Sequence, residues 1–127
     1  MTILTEGPRK AEFMISEAED YRSRDEITVT VPANTTYEAG TVIGQITASG
    51  NFVRHAAGAS DGSQNEAGVL FQNLVNTTAS PVDMVGTNIA RQAQVKKADL
   101  IYEVGADTAQ EETTDAALLA LGIVVRA

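Results

Sequence analysis

Proton transfer, metal binding and covalent catalysis each need particular side chains at particular spacings, and this chain offers few of them. Its single histidine, His55, stands in "FVRHAAG" with no partner at H-x-x-x-H spacing and no acidic metal loop beside it. A lone imidazole of this kind reads as a surface or hydrogen-bonding residue. The stretch "DGSQNEAG" gathers Asp61, Asn65 and Glu66 in the manner of an opening calcium loop. Its glycine comes too early, directly after Asp61, and the closing bidentate glutamate is missing. Adjacent carboxylates such as Glu19-Asp20 and Glu111-Glu112 read as solvated faces of an acidic protein. Neither G-x-G-x-x-G nor a Walker A run occurs, so nucleotide binding has no support. "YEAGTVIGQIT" has the look of strands in small carrier barrels, but no lysine stands at the hairpin tip to take a lipoyl or biotinyl group. The expectation is a protein that is not an enzyme and has no metal and no cofactor.

The totals narrow the class. With 127 residues the chain suits one domain able to bury about two thirds of its unfolded surface. Hydrophobic residues make up 43%, enough for a globular core, but aromatics only 5%, so Val, Ile, Leu and Ala must build it. The absence of cysteine excludes disulfides and thiolate chemistry. A formal charge of -8 repels phosphates, and no basic stripe offsets it, so nucleic acid is not an expected partner. The start lacks the apolar stretch of a signal peptide, and "AALLALGIVV" from Ala116 is too short to span a bilayer. The chain therefore reads as a soluble protein without Sec export or membrane partner. On that reading the sequons at Asn34 and Asn76 carry no meaning.

The elements expected to position these residues are mostly strands. Residues 1 to 25 show no sustained period, and "EFMISEAED" fits one helical turn or an extended segment equally. "EITVTVP" alternates, with Ile27, Val29 and Val31 on one face, and Pro32 ends it. "ANTTYEAG" reads as a turn-rich connection. "TVIGQITASG" is a second strand in which Gly44 marks a bend or a close backbone approach. "FVRHA" is a short strand after the turn at residues 48–51, and "AGASDGSQNEAG" from Ala57 is a long loop of the kind that serves contacts. "VLFQNLVNT" and "MVGTNIARQAQV" read as two strands, and "KKADLIYEVG" as a helical turn into strand. The clearest helix starts at Asp107 or Thr108, where Thr108 and Glu111 fit a capping box. It runs with Thr114, Ala117, Leu118 and Leu121 on one face to a left-handed glycine at 122, and "IVV" then begins a last strand. The fold class read from these elements is mainly β with a small α component, an α+β arrangement in one compact domain.

Five stretches in this order resemble one family: "LTEGPRKAEFMISEAEDYRSRDEITV", "AGTVIGQITASGNFV", "DGSQNEAGVLF", "NIARQAQVKKADLIY" and "LLALGIVVR". The chain looks like a head decoration protein of tailed bacteriophages, of the lambda D type. The resemblance implies a β-clip-like compact domain with an extended N-terminal arm, assembled as a homotrimer. It implies a seat on the three-fold sites of the expanded head, where the trimer cements the major capsid protein lattice against packaged-DNA pressure. It also implies residence on the outer surface of the virion, after synthesis in the host bacterial cytoplasm. On this reading residues 1–25 form a flexible capsid-binding arm carrying Ile3, Leu4, Thr5, Glu6, Gly7, Arg9, Phe13 and Ile15, and residues 26–127 a single β-rich decoration domain. The loop residues Asp61, Gly62, Ser63, Gln64 and Asn65 are candidates for trimer or capsid contact. The alternative is a small β-barrel binding module that recognises a carbohydrate or a host surface.

Overall fold

The computed structural model describes residues 13–17 and 23–127. Among these residues ten strands and one α-helix follow in order: β1 Met14–Glu17, β2 Arg24–Val31, β3 Thr35–Tyr37, β4 Val42–Gln45, β5 Phe52–Arg54, β6 Glu66–Leu70, β7 Leu74–Asn76, β8 Val82–Ile89, β9 Ala93–Lys96, α1 Thr108–Ala120 and β10 Ile123–Arg126. A short 3-10 helix, Lys97–Asp99, follows β9. Mainly β with one helix is the class expected from the sequence.

Five strands close a barrel in the order β2-β5-β4-β6-β8. Its seam is the long antiparallel pair β2–β8, in register from Arg24↔Ile89 to Val31↔Val82. The alternation in "EITVTV" turns Ile27, Val29 and Val31 inward to meet Ile43, Leu70 and Leu74, with Tyr37 beside them. The opposite sides of β4, β6 and β8 are also covered. There Val42, Val69 and Ile89 pack against Phe13, Val95, Leu118 and Ile123. Two cores thus share one wall, so "VIG" in β4 and "GVL" in β6 are buried on both faces. Beyond this wall lie α1 and a three-stranded sheet ordered β1-β9-β10, with β1 antiparallel and β10 parallel to β9.

Several elements differ from the sequence expectation. The connection "ANTTYEAG" contains β3, which pairs with β7 as a two-stranded flap. The two strands expected between residues 69 and 95 are four. The first run breaks at residues 71–73, where Asn73 Oδ1 accepts from the Ala39 N–H, and the second breaks at Gln92, which adopts φ +52°. Within "EFMISEAED", Met14–Glu17 are extended rather than helical, because Phe13 and β1 dock on β9. Gly44 does mark a close approach: a Cβ there would lie 2.6 Å from the Ser63 carbonyl oxygen.

The helix cap is shifted by one residue. Asp107 is the N-cap, its Oδ1 accepting from the Gln110 N–H at 2.8 Å, while Gln110 Oε1 accepts from the Asp107 N–H at 2.9 Å. This is a capping box with Asp and Gln in place of the expected Thr108 and Glu111. The extended backbone of Asp107 (φ -90°, ψ 178°) aims its carboxylate at the free N–H groups, whereas Thr108 is already helical. Asp107→Ala should therefore cost about 1 kcal/mol in chemical denaturation, and Thr108→Ala should stay within about 0.5 kcal/mol of the parent. At the other end Gly122 follows the helix with φ +90°, as its left-handed role requires.

Candidate functional site

The candidate contact loop is rigid at its base and open at its tip. Asp61 Oδ1 accepts from the Ser63 N–H at 3.0 Å and the Ser63 hydroxyl at 2.6 Å. The Ser63 hydroxyl is the main reason that the Asp61 carboxyl is held below the usual carboxylate range. The Asp61 carbonyl accepts from the Thr47 N–H, the Ser63 carbonyl from the Ala56 N–H, and Gln64 Oε1 from the Gly62 N–H. Ser63 is buried and Gly62 and Gln64 half-buried, while Asp61 and Asn65 are exposed. Of the five candidates, those two are the ones most open to a partner.

Behind the loop, His55 is only 2% exposed. Its Nε2 lies 3.0 Å from the Gln64 carbonyl oxygen and 3.0 Å from Glu66 Oε1. Two acceptors facing one ring nitrogen place a proton there. Glu66 Oε1 also accepts from the Thr114 hydroxyl at 3.1 Å, which ties the barrel to α1. His55 is thus a buried hydrogen-bonding residue. Gln64, Asn65, Glu66 and Glu103 form, with the first turns of α1, a groove of about 480 Å³. The run Gly58-Ala59-Ser60-Asp61-Gly62 has G-x-S-x-G spacing, but it lies in the loop between β5 and β6 rather than at a strand-to-helix elbow.

At the N-terminal side, the structure places Phe13 and Ile15 differently. Phe13 is 1% exposed within the core shared by α1, β9 and the barrel wall, and its carbonyl accepts from the Lys96 N–H at 2.7 Å. Ile15, on β1, is 48% exposed. Phe13, ahead of residue 26, thus packs with the core, where its ring sits with Val95 and Leu118. Ile3, Leu4, Thr5, Glu6, Gly7 and Arg9 lie outside the described residues. Among the described residues β1 pairs with β9 alone.

A polar clasp joins β1 to β2. Arg24 Nε donates to both Glu17 oxygens at 3.0 Å, Ser23 Oγ donates to Glu17 Oε2 at 2.7 Å, and the Arg24 guanidinium lies 4.3 Å above the Phe71 ring. Hydrogen bonding from Arg24 is the main cause that holds the Glu17 carboxyl below its ordinary range. The folded state thus binds a proton at Glu17 less readily than the unfolded chain. Its stabilisation is present above the unfolded value of about 4.3 and is lost as pH falls through the lower folded value. Glu17→Gln should destabilise at neutral pH and cost progressively less below about pH 4, read as the gap between the two proteins' urea midpoints across pH. Sequence reasoning missed this clasp, since two residues seven apart carry no periodic signal.

It also missed the cluster that fixes α1. Asp115 accepts from Lys97 Nζ at 2.6 Å and from the Tyr102 hydroxyl at 2.5 Å, and Lys97 lies 5.1 Å from the Tyr102 ring centre. Burial, with the Asp115 charge adding to it, pushes the Tyr102 phenol well above its ordinary range.

Comparison with known proteins adds one finding. The chain matches the family model described as bacteriophage lambda head decoration protein D over residues 3–123. No curated protein sequence matches it.

Proposed function

Since the chain belongs to the bacteriophage lambda head decoration protein D family, a structural family of the phage head, we propose that it is a capsid cement. Three copies, each of the family's β-clip type, sit on a three-fold site of the expanded head, on its outer surface, and tie neighbouring major capsid proteins together against the pressure of packaged DNA. The observation that carries this reading is the length of the match, which takes in all but the first two and last four residues. The charge of -8 supports it, because a negative surface suits the outside of a shell better than its DNA-lined inside.

The segment ahead of Phe13 is the docking arm in this proposal. The position of β1 at the edge of its sheet among the described residues and the exposed Ile15 support it, since a segment leading into an edge strand is suited to strand addition on a partner sheet. Ordering such a segment costs about 1–2 kcal/mol per residue, so one arm binds weakly. Three arms on one trimer raise the effective concentration of the second and third contacts. Asp61 and Asn65 present a second contact patch.

Co-sedimentation with undecorated expanded heads tests both parts. Full-length protein is expected to pellet saturably at about three copies per three-fold site, and a truncation that starts at Phe13 is expected to stay in solution. Equal pelleting of both overturns the arm. Pelleting of neither overturns the cement.

A further inference from the structure

The barrel has a mouth, lined by residues from each of its five strands. Along each strand alternate residues face the lumen. Asp25 precedes Ile27 by two residues on β2 and lies opposite Asn88 of β8. Gln45 follows Ile43 by two on β4 and lies opposite Phe52 of β5. Four strands therefore bring a carboxylate, two amides and an aromatic ring to one rim. Arg91, just after β8, and Leu121, at the end of α1, complete a cup of about 620 Å³.

Behind the lining of the cup, against Gly68, lies a buried acceptor without a donor among the described residues. Asn88 is 2% exposed; its Nδ2 donates to the Ala67 carbonyl at 3.2 Å, and its Oδ1 has no partner among the described residues. Buried side-chain oxygens are seldom left so. The chain makes room for this amide with a glycine: Gly68 has φ +149°, and a Cβ there would lie 2.1 Å from Asn88 Oδ1. The rim is also balanced in charge. Arg91 Nη2 lies 2.6 Å from Asp25 Oδ2, with both side chains about half exposed. The remaining carboxylate, Glu66, is turned to His55 and Thr114.

We propose that the barrel mouth is a binding site for a neutral saccharide. A phosphate would meet the Asp25 carboxylate, and an ammonium would meet Arg91. A pyranose meets neither obstacle. Its hydroxyls both donate and accept, matching planar carboxylate, guanidinium and amide groups, and its apolar face suits the Phe52 ring. Mouths of β-barrels are favoured places for such ligands. This goes beyond the cement role; binding at the mouth does not depend on it, whereas display on a particle rests on that reading. Many copies displayed on one particle would convert weak single-site affinity into attachment to a glycan-bearing surface.

The test is an amide-resolved NMR titration of the ¹⁵N-labelled full chain. The probes are N-acetylglucosamine, methyl α-glucopyranoside and methyl β-galactopyranoside, with glycerol as a simple polyol. At least one sugar should produce saturable shifts at Gly68, Asn88 and Arg91 with a millimolar Kd, while glycerol does not. Asp25→Asn and Gln45→Ala, both rim changes that leave the two cores untouched, should each weaken that sugar about tenfold, or 1.4 kcal/mol, with the remaining spectrum unchanged. The proposal is overturned if no sugar shifts the mouth, if shifts grow linearly as with glycerol, or if both variants bind like the parent.

Discussion

Phe13→Ala should lower the unfolding free energy by about 3–5 kcal/mol, the usual cost of truncating a buried aromatic to alanine. Phe13 is among the largest fully buried side chains, enclosed with Val42, Val95, Leu118 and Ile123. Its loss opens a cavity where α1, β9 and the shared barrel wall meet, a junction that cannot collapse without moving three elements. Urea denaturation at fixed protomer concentration measures this, since assembly would otherwise add a concentration term. The result separates two accounts of the N-terminal region. If the whole of residues 1–25 were an arm outside the domain, the substitution would change stability by less than about 0.5 kcal/mol. A large loss, together with wild-type stability of the truncation starting at Phe13, places the end of the arm directly before this ring.

The second large effect is expected at Asn76, which is 2% exposed. Its Nδ2 donates to the carbonyls of Val31, Pro32 and Ser80 at 2.9, 3.0 and 2.9 Å, and its Oδ1 accepts from the N–H and the hydroxyl of Thr78. One amide thus holds the end of β2, the end of β7 and the turn into β8 together. Asn76→Leu keeps the size and removes every partner. Each buried group left unpaired costs about 1–3 kcal/mol, so a loss of about 3–5 kcal/mol is expected. Asn76→Asp should be no milder, because it turns an acceptor toward three carbonyl oxygens. Asn76→Ser, short enough to admit water, should recover part of the loss. A loss below about 1 kcal/mol for the leucine variant would mean that the turn holds itself. The same geometry explains the sequon: Asn76-Thr77-Thr78 is a local hydrogen-bonding motif whose amide is buried.

Much of the fold was legible because it rests on local periodicity. The alternation of Ile27, Val29 and Val31 marks β2 and its buried face whatever the rest of the chain does. The helix after residue 107 announces itself through acidic and capping residues at one end and glycine at the other. The cap itself slipped by a residue, since Asp107 and Thr108 are both good N-caps and only backbone dihedrals choose between them. The three-residue β3 left no trace in "ANTTYEAG", because it exists through its pairing with Leu74, Val75 and Asn76.

The candidate site divides in the same way. The loop at residues 61–65 stood out as long and rich in small residues, and it lies on the surface with Asp61 and Asn65 exposed. Its internal bonds, the His55–Glu66–Thr114 link and the Glu17–Arg24 clasp join residues that no spacing rule connects.

What the sequence determined by itself was the class, the principal strands and helix, and the family, since these rest on residue type, local order and co-occurring short stretches. The tertiary structure alone decided that one wall serves two cores, that Phe13 belongs inside, and that Asp25, Gln45, Phe52 and Asn88 share one rim. The reason is physical. Hydrophobic periodicity shows that a face is buried but not against what, and partners such as Asp25 and Asn88, 63 positions apart, meet only once the barrel closes.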